Sequence, residues 1–177
     1  MDRLTPAERS RLMSKIRSKN TTPELLVRRY LYAHGLRYRL HDKHFPGRPD
    51  LYLPRYKVAV EVRGCFWHRH PGCKVATMPK SHKAFWRAKF ARNVARDHLS
   101  EVKIRAMGVR LLVVWECELV ASRREATLAE LLRLIVAPTP ADLDLTALAS
   151  PQQPGGDDIP SVAEPPAAYN YSSPFSR

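Results

Sequence analysis

The segment GCFWHRHPGC, which begins at Gly64, holds the densest group of reactive side chains in the chain. Its Cys65, His70 and Cys73 follow a Cys-x4-His-x2-Cys spacing, which is short enough for all three to reach one metal ion. A further cysteine, Cys117, ends a predicted strand and comes close to them if that strand lies beside the one preceding the segment. Three thiolates and one imidazole would form a closed, structural zinc site. Three reduced, buried cysteines are the alternative that the residue types leave open.

Carboxylates form a second candidate group. Asp50 begins a predicted strand after a conformationally restricted Arg-Pro pair, and the next predicted strand carries Glu61 with Arg63 on the same face. This order resembles the PD-(D/E)xK pattern of nucleases, in which carboxylates bind Mg²⁺ and a nearby cation stabilises the charge of the transition state. Taken alone the pattern is weakly specific, because acidic residues at strand ends are common.

Aromatic side chains are interleaved with cations in two places, which favours stacking on bases or wedging between base pairs. These residues are Phe66, Trp67 and Arg69 in a predicted exposed loop, and Trp86 and Lys89 early in a predicted helix. Packing in the core is the alternative, and we assign Trp115 to the core because it ends an apolar strand.

Asp97 follows Trp86 by eleven residues, and Asn93 lies between them. Eleven residues bring a helix back to about the same face, so one helix could present an aromatic group at one end and a carboxylate to the metal site at the other. The alternative is that Asp97 pairs with neighbouring arginines on the surface.

The elements that must position these groups predict an α/β domain with a mixed sheet. A capping box at Thr5-Pro6-Ala7-Glu8 and a similar start at Thr22-Pro23-Glu24 predict two helices, the second ended by Gly35. Alternating residues over 57–63 predict a strand with its valines on one face. The remaining predicted elements are strands at 36–40, 50–53 and 109–115 and helices at 81–107 and 123–136.

Composition narrows the class of protein. The net charge of +13 indicates a polyanionic partner such as nucleic acid, with a solubilising surface charge as the alternative. No run of 18 apolar residues and no secretory signal is present, so we expect a cytoplasmic protein without a membrane partner. The Pro-rich composition from residue 138 onward predicts a folded domain at 1–137 and a mostly disordered tail at 138–177.

Taken together, these segments resemble the very-short-patch-repair (Vsr) endonucleases. The motifs that carry the resemblance are GRPDL around Asp50, GCFWHRHPGC, FW at Trp86, NVARD ending at Asp97, and VVWECEL around Cys117. The resemblance covers about residues 5–120. It implies a restriction-endonuclease-like fold and an Mg²⁺-dependent nick in double-stranded DNA, 5′ to the T of a T:G mismatch left by deamination of 5-methylcytosine.

The resemblance also implies a role for each residue. Asp50 would be the main ligand of Mg²⁺, His68 the general base, and Asp97 the support of His68, with Glu24 nearby. Cys65, His70, Cys73 and Cys117 would hold structural zinc, and Phe66, Trp67 and Trp86 would wedge beside the mismatch, with Arg69 and Lys89 on the DNA. We expect a monomer, and the mismatch-repair ATPase is the implied protein partner.

Two positions depart from the family pattern, which commonly has an apolar residue at the place of Glu61 and His at the place of Arg63. Arg63 keeps a positive charge but cannot transfer protons, and Glu61 could add a ligand for the metal. The departures leave two alternatives open: a PD-(D/E)xK nuclease of different specificity, and a zinc-containing DNA-binding protein with weakened catalysis.

Overall fold

A computed structural model of the chain describes residues 19–138, together with Thr5, Ala7, Glu8 and Arg11. The described elements belong to one compact unit that ends at Val136. The tail predicted at 138–177 lies outside the described residues beyond its first residue. The described helices are α1 (Thr22–Ala33), α2 (Cys65–His68), α3 (Lys83–Ala106) and α4 (Arg124–Val136), and the strands are β1 (Arg39–Leu40), β2 (Leu51–Leu53), β3 (Val58–Arg63) and β4 (Arg110–Trp115).

The four strands form one mixed sheet in the order β1-β2-β3-β4. β1, β2 and β3 are antiparallel neighbours, whereas β4 lies parallel to β3. The connection from β3 to β4 therefore crosses back along the sheet, and the 24-residue helix α3 provides it. This confirms the predicted α/β class and mixed sheet, and the strands at 57–63 and 109–115 lie side by side, which is the condition for Cys117 to approach the other cysteines.

Both faces of the sheet are covered. On one face, α1 and α4 pack on a core that includes Val58 and Val60 of β3, both with 0% exposure. On the other face, Ile104 of α3 packs against Ala59 and Leu111. Because successive residues of a strand point to opposite faces, the alternating pattern of β3 serves both cores.

Local signals explain where the elements begin and end. The Glu8 carboxylate accepts from the Thr5 amide and hydroxyl, and the Thr5 hydroxyl accepts from the Glu8 amide, which confirms the capping box. The Thr21 side chain caps α1 by accepting from the Glu24 amide. Gly35, at a φ of 80°, ends α1 in a Schellman arrangement, in which its amide donates to the Tyr32 carbonyl and the next amide donates to the Leu31 carbonyl.

Three predictions need correction. The strand predicted at 36–40 is only two residues long, because only Arg39 and Leu40 pair with β2. The exposed loop predicted around Phe66 and Trp67 is instead the one-turn helix α2, whose aromatic side chains are half-buried. Trp115 belongs to neither core cluster, and its ring stacks on His70 with centroids 4.2 Å apart.

Among the described residues, no helix is long and apolar enough to cross a membrane.

Candidate active site and metal centre

An open cleft of about 700 Å³ lies where β2, β3, α2 and α3 meet beside the start of α1. It gathers carboxylates, an imidazole and cations from parts of the chain that are distant in sequence. All six predicted catalytic residues line it, namely Glu24, Asp50, Glu61, Arg63, His68 and Asp97, and so do Trp67 and Lys89.

The hairpin of β2 and β3 fixes the position of Asp50. The register pairs Leu51 with Val60, so Asp50, the residue just before β2, lies opposite Glu61. The Val62 amide donates a hydrogen bond of 2.7 Å to Asp50 Oδ2, which holds the carboxylate at the mouth of the cleft. Two carboxylates on paired antiparallel strands thus face one space.

The Asp50 carboxyl stands in an environment that disfavours its charge. Burial raises the pKa of Asp50 to about 6, and the nearby carboxylates of Glu24 and Glu61 add to the increase. The hydrogen bond from Val62 and the proximity of His68 act in the opposite direction, towards a lower pKa. Convergence of carboxylates with so little solvent is characteristic of a site that binds a cation, which would favour the charged form.

Glu24 is the most enclosed acid of the cleft, with a side-chain exposure of 2%. Its Oε2 accepts from the Asn20 amide at 2.7 Å, while its Oε1 lies 3.4 Å from Arg28 and 3.3 Å from His41. Glu24 therefore lies in the cleft with the other acids.

Helix α3 holds His68 through a carboxylate. His68 Nδ1 lies 2.6 Å from Asp97 Oδ2, and one turn earlier Asn93 Nδ2 donates to the Trp67 carbonyl at 3.1 Å. The two contacts connect α2 to α3. Because Asp97 contacts Nδ1 of His68, it leaves the other ring nitrogen, Nε2, uncontacted by this carboxylate. Arg96 also lies 3.6 Å from Asp97. The Asp97 carboxylate therefore contacts His68 in the cleft and also pairs with a neighbouring arginine.

Glu61 and Arg63 pair with each other inside the cleft. Arg63 Nε donates to Glu61 Oε2 at 2.8 Å, and Nη2 lies 2.7 Å from the same oxygen without the alignment of a hydrogen bond. The Arg63 guanidinium also lies 5.9 Å from the centre of the Trp115 ring. The two residues that depart from the family pattern thus form one ion pair.

A separate cluster of three cysteines and one histidine lies beside the cleft. The parallel register pairs Arg63 with Trp115, so Cys65 and Cys117 each follow the end of a paired strand by two residues. One ligand atom from each of Cys65, His70, Cys73 and Cys117 lies within 4.8 Å of all the others. The cluster could therefore bind a metal ion.

The distances and electrostatics of this cluster suit a metal. His70 Nε2 lies 3.5 Å from both Cys65 Sγ and Cys117 Sγ. A sulfur at about 2.3 Å and a nitrogen at about 2.0 Å from a tetrahedral zinc ion are separated by about 3.5 Å. Burial lowers the pKa of His70, which favours the neutral imidazole that metals bind. Burial also raises the pKa of the Cys65 and Cys117 thiols, so holding them as thiolates requires a cation.

The predicted wedge residues pack against one another. The Phe66 ring makes edge contacts with Trp67 at 5.0 Å and Trp86 at 5.5 Å, and the Trp67 and Trp86 centroids are 6.1 Å apart. Phe90, which is buried, supports the group from α3. Arg69 stacks over Phe90 at 4.6 Å rather than standing free in a loop. We refer to Phe66, Trp67, Trp86 and Phe90 as the aromatic cluster.

Sequence reasoning missed His41. Its Nε2 lies 3.3 Å from Glu24 Oε1 and its Nδ1 lies 3.8 Å from Asp50 Oδ1. No motif contains it, but extending the pairing of Leu40 with Leu51 by one step places it opposite Asp50. Counting residues in both directions from the Pro-Gly turn would have predicted that His41 and Asp50 lie opposite each other.

Several known proteins are similar to this chain in sequence. The model of the family "DNA mismatch endonuclease Vsr" matches residues 1–74. The type II nicking enzyme V.XorIIP of Xanthomonas oryzae is 48% identical over 118 residues, covering 67% of this chain and 86% of the relative. The type II nicking enzyme V.NmeAIP of Neisseria meningitidis is 45% identical with similar coverage, at 67% and 84%. The DNA mismatch endonuclease Vsr of Escherichia coli is 36% identical over 113 residues, covering 64% of this chain and 72% of the relative.

An α/β domain with an acid- and imidazole-lined cleft, matched in sequence by nicking enzymes, is that of a DNA endonuclease. The chain belongs to the Vsr family of DNA mismatch endonucleases.

Proposed function

We propose that this endonuclease nicks one strand of duplex DNA, 5′ to the T of a T:G mismatch that arises when 5-methylcytosine is deaminated, and that it requires Mg²⁺. The observation that carries the proposal is the convergence of Asp50, His68 and Asp97 in one cleft beside the cysteine-histidine cluster. The family supports a mismatch as the substrate, and the surplus of basic residues supports binding to DNA phosphates.

Asp50, Glu24 and Glu61 are the residues that would hold Mg²⁺, because Glu24 and Glu61 lie close enough to Asp50 to raise its pKa, whereas Asp97 pairs with His68. When bound, Mg²⁺ supplies polarisation of the scissile phosphate and a lower pKa for water. The placement of Asp50 and Glu61 on paired strands also supports a relation to the PD-(D/E)xK nucleases, which stays a prediction.

His68 is the proposed general base. Asp97 fixes the ring by accepting from Nδ1, so that Nε2 can accept a proton from the attacking water. An imidazole with its far nitrogen bonded to a carboxylate also gains stabilisation when it becomes charged. Arg63, a permanent cation in the same cleft, would stabilise negative charge on the phosphate.

Zinc is the metal proposed for Cys65, His70, Cys73 and Cys117. The donor set of three sulfurs and one nitrogen suits zinc, and a site with four protein ligands is structural because no position remains for water. Zinc would tie the segment after β3 to the end of β4, beside the cleft.

The aromatic cluster is the proposed wedge. Insertion of Phe66, Trp67 and Trp86 beside the mismatch would unstack the duplex, and a mismatched pair costs less to open than a matched one. Arg69 and Lys89 are the cations that we expect on the DNA backbone. Action as a monomer and partnership with the mismatch-repair ATPase stay predictions from the family resemblance.

A nicking assay on T:G and T:A duplexes of otherwise identical sequence, with and without Mg²⁺, tests the proposal. We expect the wild type to nick only the T:G duplex and only with Mg²⁺. Asp50→Ala should abolish nicking while mismatch binding stays largely intact, because the carboxylate acts in chemistry rather than in docking. Glu130→Ala, which removes a surface acid paired with Arg133 on α4, is the matched control and should retain full activity. Full activity of Asp50→Ala would remove the mechanism.

The Glu61–Arg63 ion pair favours one second candidate, a PD-(D/E)xK nuclease of different specificity. In that case Glu61 and Arg63 would take the places of the acid and cation of the motif. Equal cleavage of the T:G and T:A duplexes would support this candidate against the first.

A further inference from the structure

The acidic end of the cleft contains an imidazole that the mechanism above does not use. His41 lies between Glu24 and Asp50, and one ligand atom from each of the three lies within 4.8 Å of the other two. We propose that His41 is a direct ligand of the divalent cation in the cleft, and that this imidazole makes the site prefer Mn²⁺ to Mg²⁺. The inference rests on the proposed cation-dependent function and deepens it by naming a ligand and a metal preference.

The distances suit ligands of one ion. Two atoms that each lie about 2.1 Å from an octahedral cation are about 3 Å apart when they occupy adjacent positions. His41 Nε2 lies 3.3 Å from Glu24 Oε1, close to that separation. Asp50 Oδ1 lies 3.8 Å from the other ring nitrogen of His41, so the imidazole lies between the two acids.

The backbone holds His41 at this place. Its amide donates to the Asp50 carbonyl at 3.3 Å, which extends the pairing of β1 with β2 by one residue. Its φ of 46° then turns the chain away from the strand direction. The side chain is only 17% exposed, so the imidazole is enclosed with the two acids rather than free in solvent.

The type of ligand atom determines which divalent cation the site binds more tightly. Mg²⁺ prefers oxygen ligands and retains its waters, whereas imidazole nitrogen binds first-row transition ions more readily. Replacing one oxygen of a carboxylate site by nitrogen therefore raises the affinity for Mn²⁺ relative to Mg²⁺. The alternative is that His41 is protonated and pairs with the two acids. A protonated imidazole would compete with a metal instead of binding it.

Binding of Mn²⁺ to the full-length, zinc-loaded protein tests the inference without any nicking assay. The unbound Mn²⁺ is measured by its electron paramagnetic resonance signal, and Mg²⁺ affinity is measured by competition. We expect His41→Gln to weaken Mn²⁺ binding by at least about tenfold, as loss of a metal's protein support commonly does, and to weaken Mg²⁺ binding much less. His44→Gln is the matched control, because His44 is 86% exposed and pairs with Asp42 outside the cleft.

A second substitution guards against a variant that fails to fold. His41→Asp supplies an oxygen ligand in the same place and should shift the ratio of Mn²⁺ to Mg²⁺ affinity towards Mg²⁺, while a melting temperature near that of the wild type confirms folding. Unchanged or stronger Mn²⁺ binding in His41→Gln would overturn the inference, and so would an unchanged affinity ratio in His41→Asp.

Asp50→Asn separates this inference from the proposed function. If Asp50→Asn loses Mn²⁺ binding and His41→Gln keeps it, His41 is not a ligand but the cation site stands. If Asp50→Asn binds Mn²⁺ as the wild type does, the cation site of the proposed function is itself wrong.

Discussion

Single side chains in the cleft act through partners that are distant in sequence. His68 and Asp97 are 29 residues apart in the chain, yet their nitrogen and oxygen are 2.6 Å apart. A contact this short between a carboxylate and an imidazole selects one tautomer and one ring orientation. We therefore propose that Asp97 positions His68 rather than contacting the DNA.

Asp97→Asn tests this positioning. The amide keeps the size of the side chain but removes the charge and can present a donor where His68 needs an acceptor. We expect the rate of a single nicking turnover to fall by a factor between about 10² and about 10⁴, the range that a positioned acid or base contributes. Binding of the mismatched duplex, measured separately by fluorescence anisotropy, should change little.

Glu101→Gln serves as the control on the same helix, because Glu101 pairs with Arg105 on the surface and not with the cleft. It should leave the nicking rate unchanged. Loss of DNA binding in Asp97→Asn to the same extent as loss of rate would contradict a positioning role.

Individual site residues were predictable where residue type and local spacing sufficed. Cys65 and Cys73 stand in one dense motif, so their spacing placed them together before any geometry was known, whereas Asp50 stands in a weakly specific pattern and the place of Cys117 depended on which strands are neighbours. His41 was missed because its place opposite Asp50 depends on strand register, which no local motif encodes. The pairing of Glu61 with Arg63 was also not foreseen, because two residues on one strand face give no sign of whether they contact each other or a ligand.

Among the helices and strands, the turn before β2 sets the relation of Asp50 to α3. The Arg48 amide donates to the Phe45 carbonyl, and Gly47 has a φ of 72°, which a turn of this type requires at its third residue. A Cβ on Gly47 would lie 2.9 Å from Ser100 Oγ and 3.0 Å from Ser100 Cβ. The absence of a side chain at Gly47 therefore allows α3 to approach the turn closely.

Gly47→Ala should destabilise the protein by more than Gly35→Ala does. Both substitutions place alanine at a positive φ, which costs about 1–2 kcal/mol. Gly35 has nothing within 4 Å of the added carbon, whereas Gly47 also meets Ser100. We expect a further cost of about 1–3 kcal/mol from this overpacking. Urea denaturation of the two variants measures the difference in their free energies of unfolding. Equal losses of stability would show that contact between α3 and the turn adds no cost.

The regular elements were predicted well because long periodic patterns report burial on a particular face. The valines of β3 and the 24 residues of α3 are examples, although α3 begins at Lys83 rather than at residue 81. The four-residue helix α2 was not predicted, because one turn is too short to show a period of 3.6 residues. Its contacts with α3 define it instead.

For the domain taken together, the cysteine-histidine cluster connects the ends of β3 and β4. If zinc occupies it, the free energy of binding becomes part of the free energy of folding. We expect one tightly bound zinc per chain by elemental analysis. His70→Ala should lose this zinc and lower the melting temperature, whereas His68→Ala, only two residues away, should retain it. A stable, zinc-free wild type would refute the zinc site.

The basic surface predicts a steep dependence of DNA affinity on salt. Lys89 lines the cleft, so Lys89→Gln should reduce the slope of log affinity against log salt by about 1 and weaken all DNA sequences alike. Lys57 lies at the opposite end of β3 from the cleft, and Lys57→Gln should leave the slope unchanged. A slope that responds equally to both variants would place Lys89 outside the DNA interface.

The tryptophans of the aromatic cluster provide an intrinsic spectroscopic signal. Trp67 and Trp86 have ring centroids 6.1 Å apart and planes inclined by 51°, close enough for their electronic transitions to couple. Their near-ultraviolet circular dichroism therefore reports whether the two indoles remain neighbours. Any event that drives them apart, including entry of a duplex between them, becomes visible in real time without an attached dye.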